Sequence, residues 1–395
     1  MRFQRRAALA ASILTACCAT AHAQQVTGNA FNPAISLILN GHYASYSRNP
    51  ADWALSGFML DRDAGLPTEG LSLDETELAI SANIDDKYYG FVAASIDQTG
   101  NDTSLNLEEG YIETLALPKG LKIKAGRFLS DVGYLNPIHS HAWDFDDAPL
   151  AYTAMLNGAY KDTGVQLKWV APTKLFVELG TELMRGDAFP AAGAAHGGVG
   201  ASTLFVHFGG DVGDTSSWRA GVSRLSADAN ERSSVFTLGT AAFTGNSDLT
   251  IADFIWKWAK NGNSRDRYYT VQAEYLHRKE SGTLDVTTTA ATNLGLYNGT
   301  QSGYYVQGVY QFRPRWRAGI RYDQLEASND VAIVGPNPLS VTHDPSRVSV
   351  MSDFSNSEFS RLRLQFNRDH SSLQIDNQIV FQYLMSLGAH GAHRF

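Results

Sequence analysis

Five side chains that can ligate metal or carry charge crowd into the nine residues "HSHAWDFDD": His139, His141, Asp144, Asp146 and Asp147. Imidazole and carboxylate suit zinc and similar divalent ions, so metal binding is one chemistry open to this segment. A His-x-His in a loop also serves as a solvent-exposed pair or a local hydrogen-bonder, and that alternative stays open. His390 and His393 form a second such pair near the chain end. No G-x-S-x-G elbow and no H-E-x-x-H helix motif is present, so the residues favour transport over catalysis.

Other charges recur at alternate positions. Lys122 and Lys124, Arg317 and Arg321, and Arg361 and Arg363 make basic rows, whereas Glu75 and Glu77, Glu178 and Glu182, and Glu274 make acidic ones. Rows on opposed walls of a water-filled space would set a transverse field that orients dipolar solutes and biases ion passage. The same charges could instead solvate a lumen and pair with neighbours, each pair contributing little.

These rows need strands to hold them. In "YYVQGVYQFRPRWRAGIRYD", residues 304 to 323, Tyr304, Val306, Tyr310 and Phe312 share one parity with Trp316, Ile320 and Tyr322 beyond "RPR". Gln307, Gln311, Arg317, Arg321 and Asp323 take the other. Sixteen period-two segments are read, near 35–46, 74–84, 88–97, 106–117, 120–128, 163–170, 174–184, 201–209, 217–227, 250–259, 267–278, 303–312, 316–325, 346–354, 358–367 and 372–387. Most approximate the roughly 9–11 residues of a tilted strand that crosses a bilayer. In 106–117, glutamates fall on both parities, Glu108 against Glu109 and Glu113.

Short connections such as "PKG", "APT" and "RPR" interleave with mostly longer ones at 47–73, 98–105, 129–162, 185–200, 228–249, 279–302 and 326–345. Trp169, Trp218, Trp256, Trp258, Tyr268, Tyr269 and Trp316 stand beside the short ones, as an interfacial aromatic girdle would. The expected fold is therefore all-β: a transmembrane antiparallel up-and-down barrel of about 16 strands without a plug domain. Its apolar face meets the lipid bilayer and its charged face lines a wet lumen.

Arg2, Arg5 and Arg6, an apolar run from Ala7 to Ala16 and the site Ala21-His22-Ala23 read as a signal peptide over 1–23, with the barrel over 24–395. Leu14-Thr15-Ala16-Cys17 is a competing lipoprotein cleavage box. The only cysteines, Cys17 and Cys18, lie in or beside that signal, so no disulfide framework or thiolate metal site is expected. The chain's net charge of -8 becomes three units more negative without the three signal arginines, which argues against nucleic acid as a partner.

"GYIETLALPKGLKIKAGRF" with "GYLN", and "SEFSRLRLQFNRD" with the closing "GAHGAHRF", resemble a family of plug-less outer-membrane barrels of about 400 residues. The family is related in pattern to phosphate-selective porins and often labelled TonB-dependent-receptor-like. The resemblance implies a bacterial outer-membrane channel for small hydrophilic solutes or ions, needing no cofactor and compatible with a homo-oligomer. It also implies that loop 129–162 folds inward, with Trp143, Asp144, Asp146 and Asp147 at a constriction, and that Phe395 is a signal read by the barrel-assembly machinery. Three aspartates in that loop argue against strict phosphate selectivity. Uptake of a divalent metal or metal chelate through His139 and His141 is the alternative function.

Overall fold

The computed structural model describes residues 33–61, 64–73, 76–99, 102–192, 197–333 and 335–388. The signal segment, Glu75, His390, His393 and Phe395 lie outside the described residues.

Among the described residues, seventeen strands build one wholly antiparallel sheet closed on itself. They are β1 (Ala34–Tyr46), β2 (Gly70–Leu73), β3 (Thr76–Asn83), β4 (Tyr88–Thr99), β5 (Asp102–Thr114) and β6 (Leu121–Leu129). After the long inward segment come β7 (Lys161–Val170), β8 (Phe176–Met184), β9 (Ala201–Val212), β10 (Ser216–Phe236), β11 (Gly239–Ala259) and β12 (Tyr268–Thr288). The ring finishes with β13 (Thr292–Arg313), β14 (Trp316–Ala332), β15 (Ser346–Ser357), β16 (Ser360–His370) and β17 (Asp376–Gly388). Both β2 and β3 pair with β1, at Gly41↔Leu73 and Leu37↔Leu78, so they are two halves of one stave and the barrel has sixteen. Closure is by β1 on β17, from Ser36↔Gly388 to Tyr46↔Gln378.

Alternation sets the two faces. On β13 and β14, Tyr304, Val306, Tyr310, Ile320 and Tyr322 are exposed, whereas Gln307, Gln311, Arg321 and Asp323 are buried. A soluble sandwich would bury the first set and wet the second. Here the apolar set covers the outside of a closed cylinder, the arrangement hydrocarbon selects because closure pairs the first strand with the last.

Several sequence expectations change. Segments 228–249 and 279–302 are mostly strand: β10 and β11 pair as far as Phe236↔Gly239, and β12 and β13 as far as Thr287↔Thr292. Their β-branched and alternating residues keep the ladder running beyond the length a bilayer requires. Tyr268 leaves the girdle, because its ring is buried and its hydroxyl accepts from Arg317 Nη1 at 3.1 Å. The two-parity glutamates of β5 mark a β-bulge: Ala93 faces Glu109 and Ala94 faces Leu107, so Glu108 is the extra residue. The bulge lets Glu108 accept from the buried Ser95 hydroxyl at 3.1 Å while Glu109 stays buried.

The interior of the barrel is packed as well as charged. Helix α1 (Leu150–Leu156) lies within an apolar cluster with the strand residues Leu225, Leu249, Ile251, Leu276 and Leu325. The expectation of a uniformly wet lumen is corrected accordingly. The connection expected at 47–73 supplies Leu55 and Phe58 to the same cluster. Gly57 fixes that turn: its φ is +81°, and a Cβ there would lie 2.8 Å from Ala327 Cβ. Its carbonyl accepts from Asn329 Nδ2 at 2.8 Å and Gln301 Nε2 at 2.9 Å, which replaces the water this backbone loses on entering the barrel.

Candidate functional site

The segment from Ser130 to Tyr160 lies between two walls of opposite charge and is bound to each by different chemistry. The basic wall is Arg317 and Arg321 on β14, Arg347 on β15, and Arg361 and Arg363 on β16. Asp144 Oδ1 lies 2.8 Å from Arg317 Nη1, and Asp147 reaches Arg321 Nη2 at 2.5 Å and Arg347 Nη1 at 2.9 Å. Backbone carbonyls complete the contact: His141 O accepts from Arg361 at 2.6 Å, Trp143 O from Arg363 at 2.7 Å and Ala148 O from Arg347 at 2.7 Å. Gln365 and Asn367 donate to the two Asp147 oxygens at 2.9 and 3.0 Å. Burial opposes ionisation of Asp147, but Arg347 and Arg321 outweigh it and hold its carboxyl well below the usual carboxylate range. Asp146 turns to His42 on β1.

On the acidic side the segment offers its N–H groups. Glu274 accepts from the amides of Tyr134 and Leu135, both at 3.0 Å, and from the hydroxyls of Tyr152 at 2.8 Å and Tyr305 at 2.5 Å. Glu182 accepts from Asp131 N at 3.0 Å and from the Ser130 hydroxyl. Glu109 accepts from Leu129 N at 2.8 Å. A carboxylate that loses water inside a barrel must regain hydrogen bonds, and uncapped loop amides are suitable donors.

The remaining anticipated residues lie elsewhere in this frame. Lys122 pairs with Glu113 at 2.7 Å, and Lys124 stands 4.8 Å over the Tyr111 ring and 5.1 Å over Phe128, so both sit on the acidic wall. Glu178 meets Lys168 at 3.7 Å and His207 at 3.1 Å. Trp143 is buried, its indole donating to Ile138 O at 2.8 Å. His139 and His141 come to Glu77: Glu77 Oε2 is 2.8 Å from His139 Nδ1 and 3.6 Å from His141 Nδ1.

Sequence reading missed Arg347, Lys168, Asp131 and Glu109. Arg347 was open to discovery, since it shares its parity with Ser349 and Asp353 in "RVSVMSD". Glu109 was hidden by the bulge. Asp131, 2.6 Å from Lys168 Nζ, is in irregular chain and carries no periodic signal.

Beside this segment lies a cavity of about 450 Å³ lined in part by Asp61, Glu108, Glu109, His139, Lys161 and Asp187. It adjoins the stretch where β5 and β6 part, their pairing covering Gly110–Glu113 with Lys124–Arg127.

Comparison with known proteins agrees with this architecture. No family model matches the chain. A protein of Aquifex aeolicus (strain VF5), described as uncharacterized, is 30% identical over 400 residues, 93% of this chain and 80% of that protein. The fold is similar to a loop-deleted OmpT, an outer membrane protein of Vibrio cholerae (TM-score 0.56, 12% identity, 91% of this chain and 100% of that one). It is similar also to the outer membrane channel DcaP of Acinetobacter baumannii (0.55, 12%, 90% and 97%). The anion-selective porin of Comamonas acidovorans is a third such structure (0.51, 9%, 90% and 99%).

Proposed function

Since the chain belongs to one family with the Aquifex aeolicus protein and is an outer-membrane barrel of porin type, we propose that it passes small hydrophilic solutes and ions by passive diffusion. The observation that carries this reading is the segment 130–160 held between a basic and an acidic wall. The constriction is shaped by polar contacts to both walls and by the apolar packing of α1.

Passage of this kind requires no nucleophile and no cofactor. Selectivity is weak and leans to cations. The arginines of the basic wall are engaged with carboxylates and carbonyls, and the cavity lining holds Asp61, Glu108, Glu109 and Asp187 against Arg127 and Lys161, so carboxylates outnumber cations there even with Glu108 paired to Lys161 and Asp187 to Arg185. An excess of carboxylates along a water-filled path favours cations.

Liposome swelling with the folded chain tests the reading. Swelling in arabinose and in potassium chloride is expected, with potassium ahead of chloride in reversal potential. Liposomes that hold their volume in every small solute would contradict it.

A further inference from the structure

Three groups from two separate pieces of chain converge at the acidic wall: Glu77 from β3, and His139 and His141 from the inward segment. Their donor atoms lie within 4.8 Å of one another. Zinc bonds of about 2.0–2.2 Å to nitrogen and oxygen at tetrahedral angles place neighbouring donors about 3.3–3.6 Å apart, so of the observed distances from Glu77 Oε2 the 3.6 Å to His141 already fits and the 2.8 Å to His139 needs to open by about half an ångström.

A second observation points the same way. His139 Nε2 lies 2.8 Å from Glu109 Oε2, on the far side of the ring from Glu77. A carboxylate behind an imidazole fixes the tautomer that leaves the other nitrogen for a metal, as is usual for metal-bound histidines. His141 is steadied through its carbonyl by Arg361, and the two imidazoles are tilted by 32° at 5.5 Å. The cavity reaches His139 from the Glu109 side of the ring and is rich in carboxylates, so it draws a hydrated cation towards the three ligands.

We propose that Glu77, His139 and His141 bind one divalent transition-metal ion of the zinc class, with Glu109 orienting His139, and that the ion pins the inward segment to the β3–β5 wall. The proposal does not rest on the reading as a channel, because the ion is bound by the wall and the segment together whatever the barrel conducts.

The experiment uses untagged, detergent-folded chain carrying His390→Ala and His393→Ala, so that the other histidine pair contributes nothing. Zinc is titrated calorimetrically, cobalt is followed by its visible absorption, and folding is checked by gel mobility before and after heating. One equivalent of each metal is expected. Glu109→Gln should weaken zinc by about 10–100-fold, and His141→Ala and Glu77→Gln by more. Hydrogen exchange across residues 137–147 should slow on adding zinc, and should not in His141→Ala. Absence of saturable zinc binding, or folded His141→Ala and Glu77→Gln variants that bind as the parent does, would overturn the site. Saturable binding with unchanged exchange would overturn the pinning. Because His141 is partly exposed, its alanine variant folds even if His139→Ala does not, and keeps the test decisive.

Discussion

At the residue scale, Asp147 joins two arginines of the basic wall, Arg321 and Arg347, to the inward segment. It accepts from Arg321, Arg347, Gln365 and Asn367, so removing its carboxylate leaves two mostly buried guanidiniums short of a partner. Breaking a buried pair from one side costs about 3–5 kcal/mol, and the lower end applies here because Arg321 keeps Asp323. Asp147→Ala is expected to release the segment by that amount, read as faster hydrogen exchange at 141–148 with the strands still protected. The pH dependence follows from a depressed carboxylate. Its stabilisation is complete above the ordinary value of about 3.9 and fades only as pH falls through the lower folded value. Exchange across 141–148, corrected for the intrinsic pH effect, should therefore change little through this contact from neutral pH to about pH 4 and rise below it. A rise through this contact centred near pH 6 would place the docking on another group.

At the element scale, strand alternation was the most readable part of the chain, and sixteen staves follow from it. Val306→Arg, on the outward face of β13, should cost about 2–4 kcal/mol in reversible unfolding from lipid vesicles if it sits near the bilayer midplane. A cost near zero would mean that Val306 does not meet hydrocarbon. What periodicity could not reveal is where a strand stops, because β-branched polar residues carry β10 to β14 past the membrane in the same pattern. It also could not reveal the bulge at Glu108, which appeared only as a conflict of parity, or the entry of residues 53–61 into the barrel. That entry depends on pairings such as Gln301 with Gly57, 244 positions apart, and local sequence holds no trace of them.

At the scale of the whole molecule, the barrel is a cylinder with a polar-apolar filling of its own. The charged rows on its inner walls are held by counter-charges on the walls, Asp323 and Asp353 beside the arginines and Lys122 and Lys168 beside the glutamates, and by one segment that presents carboxylates and carbonyls to the arginines and amides to the glutamates. The individual rows were legible as alternate lysines, arginines and glutamates. Their partners were not, since Asp131, Asp144 and Asp147 lie in irregular chain whose course is set by tertiary contact. The same arrangement ties conductance to docking. Single-channel recording of the parent beside an Asp144→Ala/Asp147→Ala variant tests this connection most directly. The account predicts a larger unit conductance in the variant, with more frequent current fluctuations, as the segment leaves the arginine wall. Equal conductance and equal noise in the two folded proteins would contradict it.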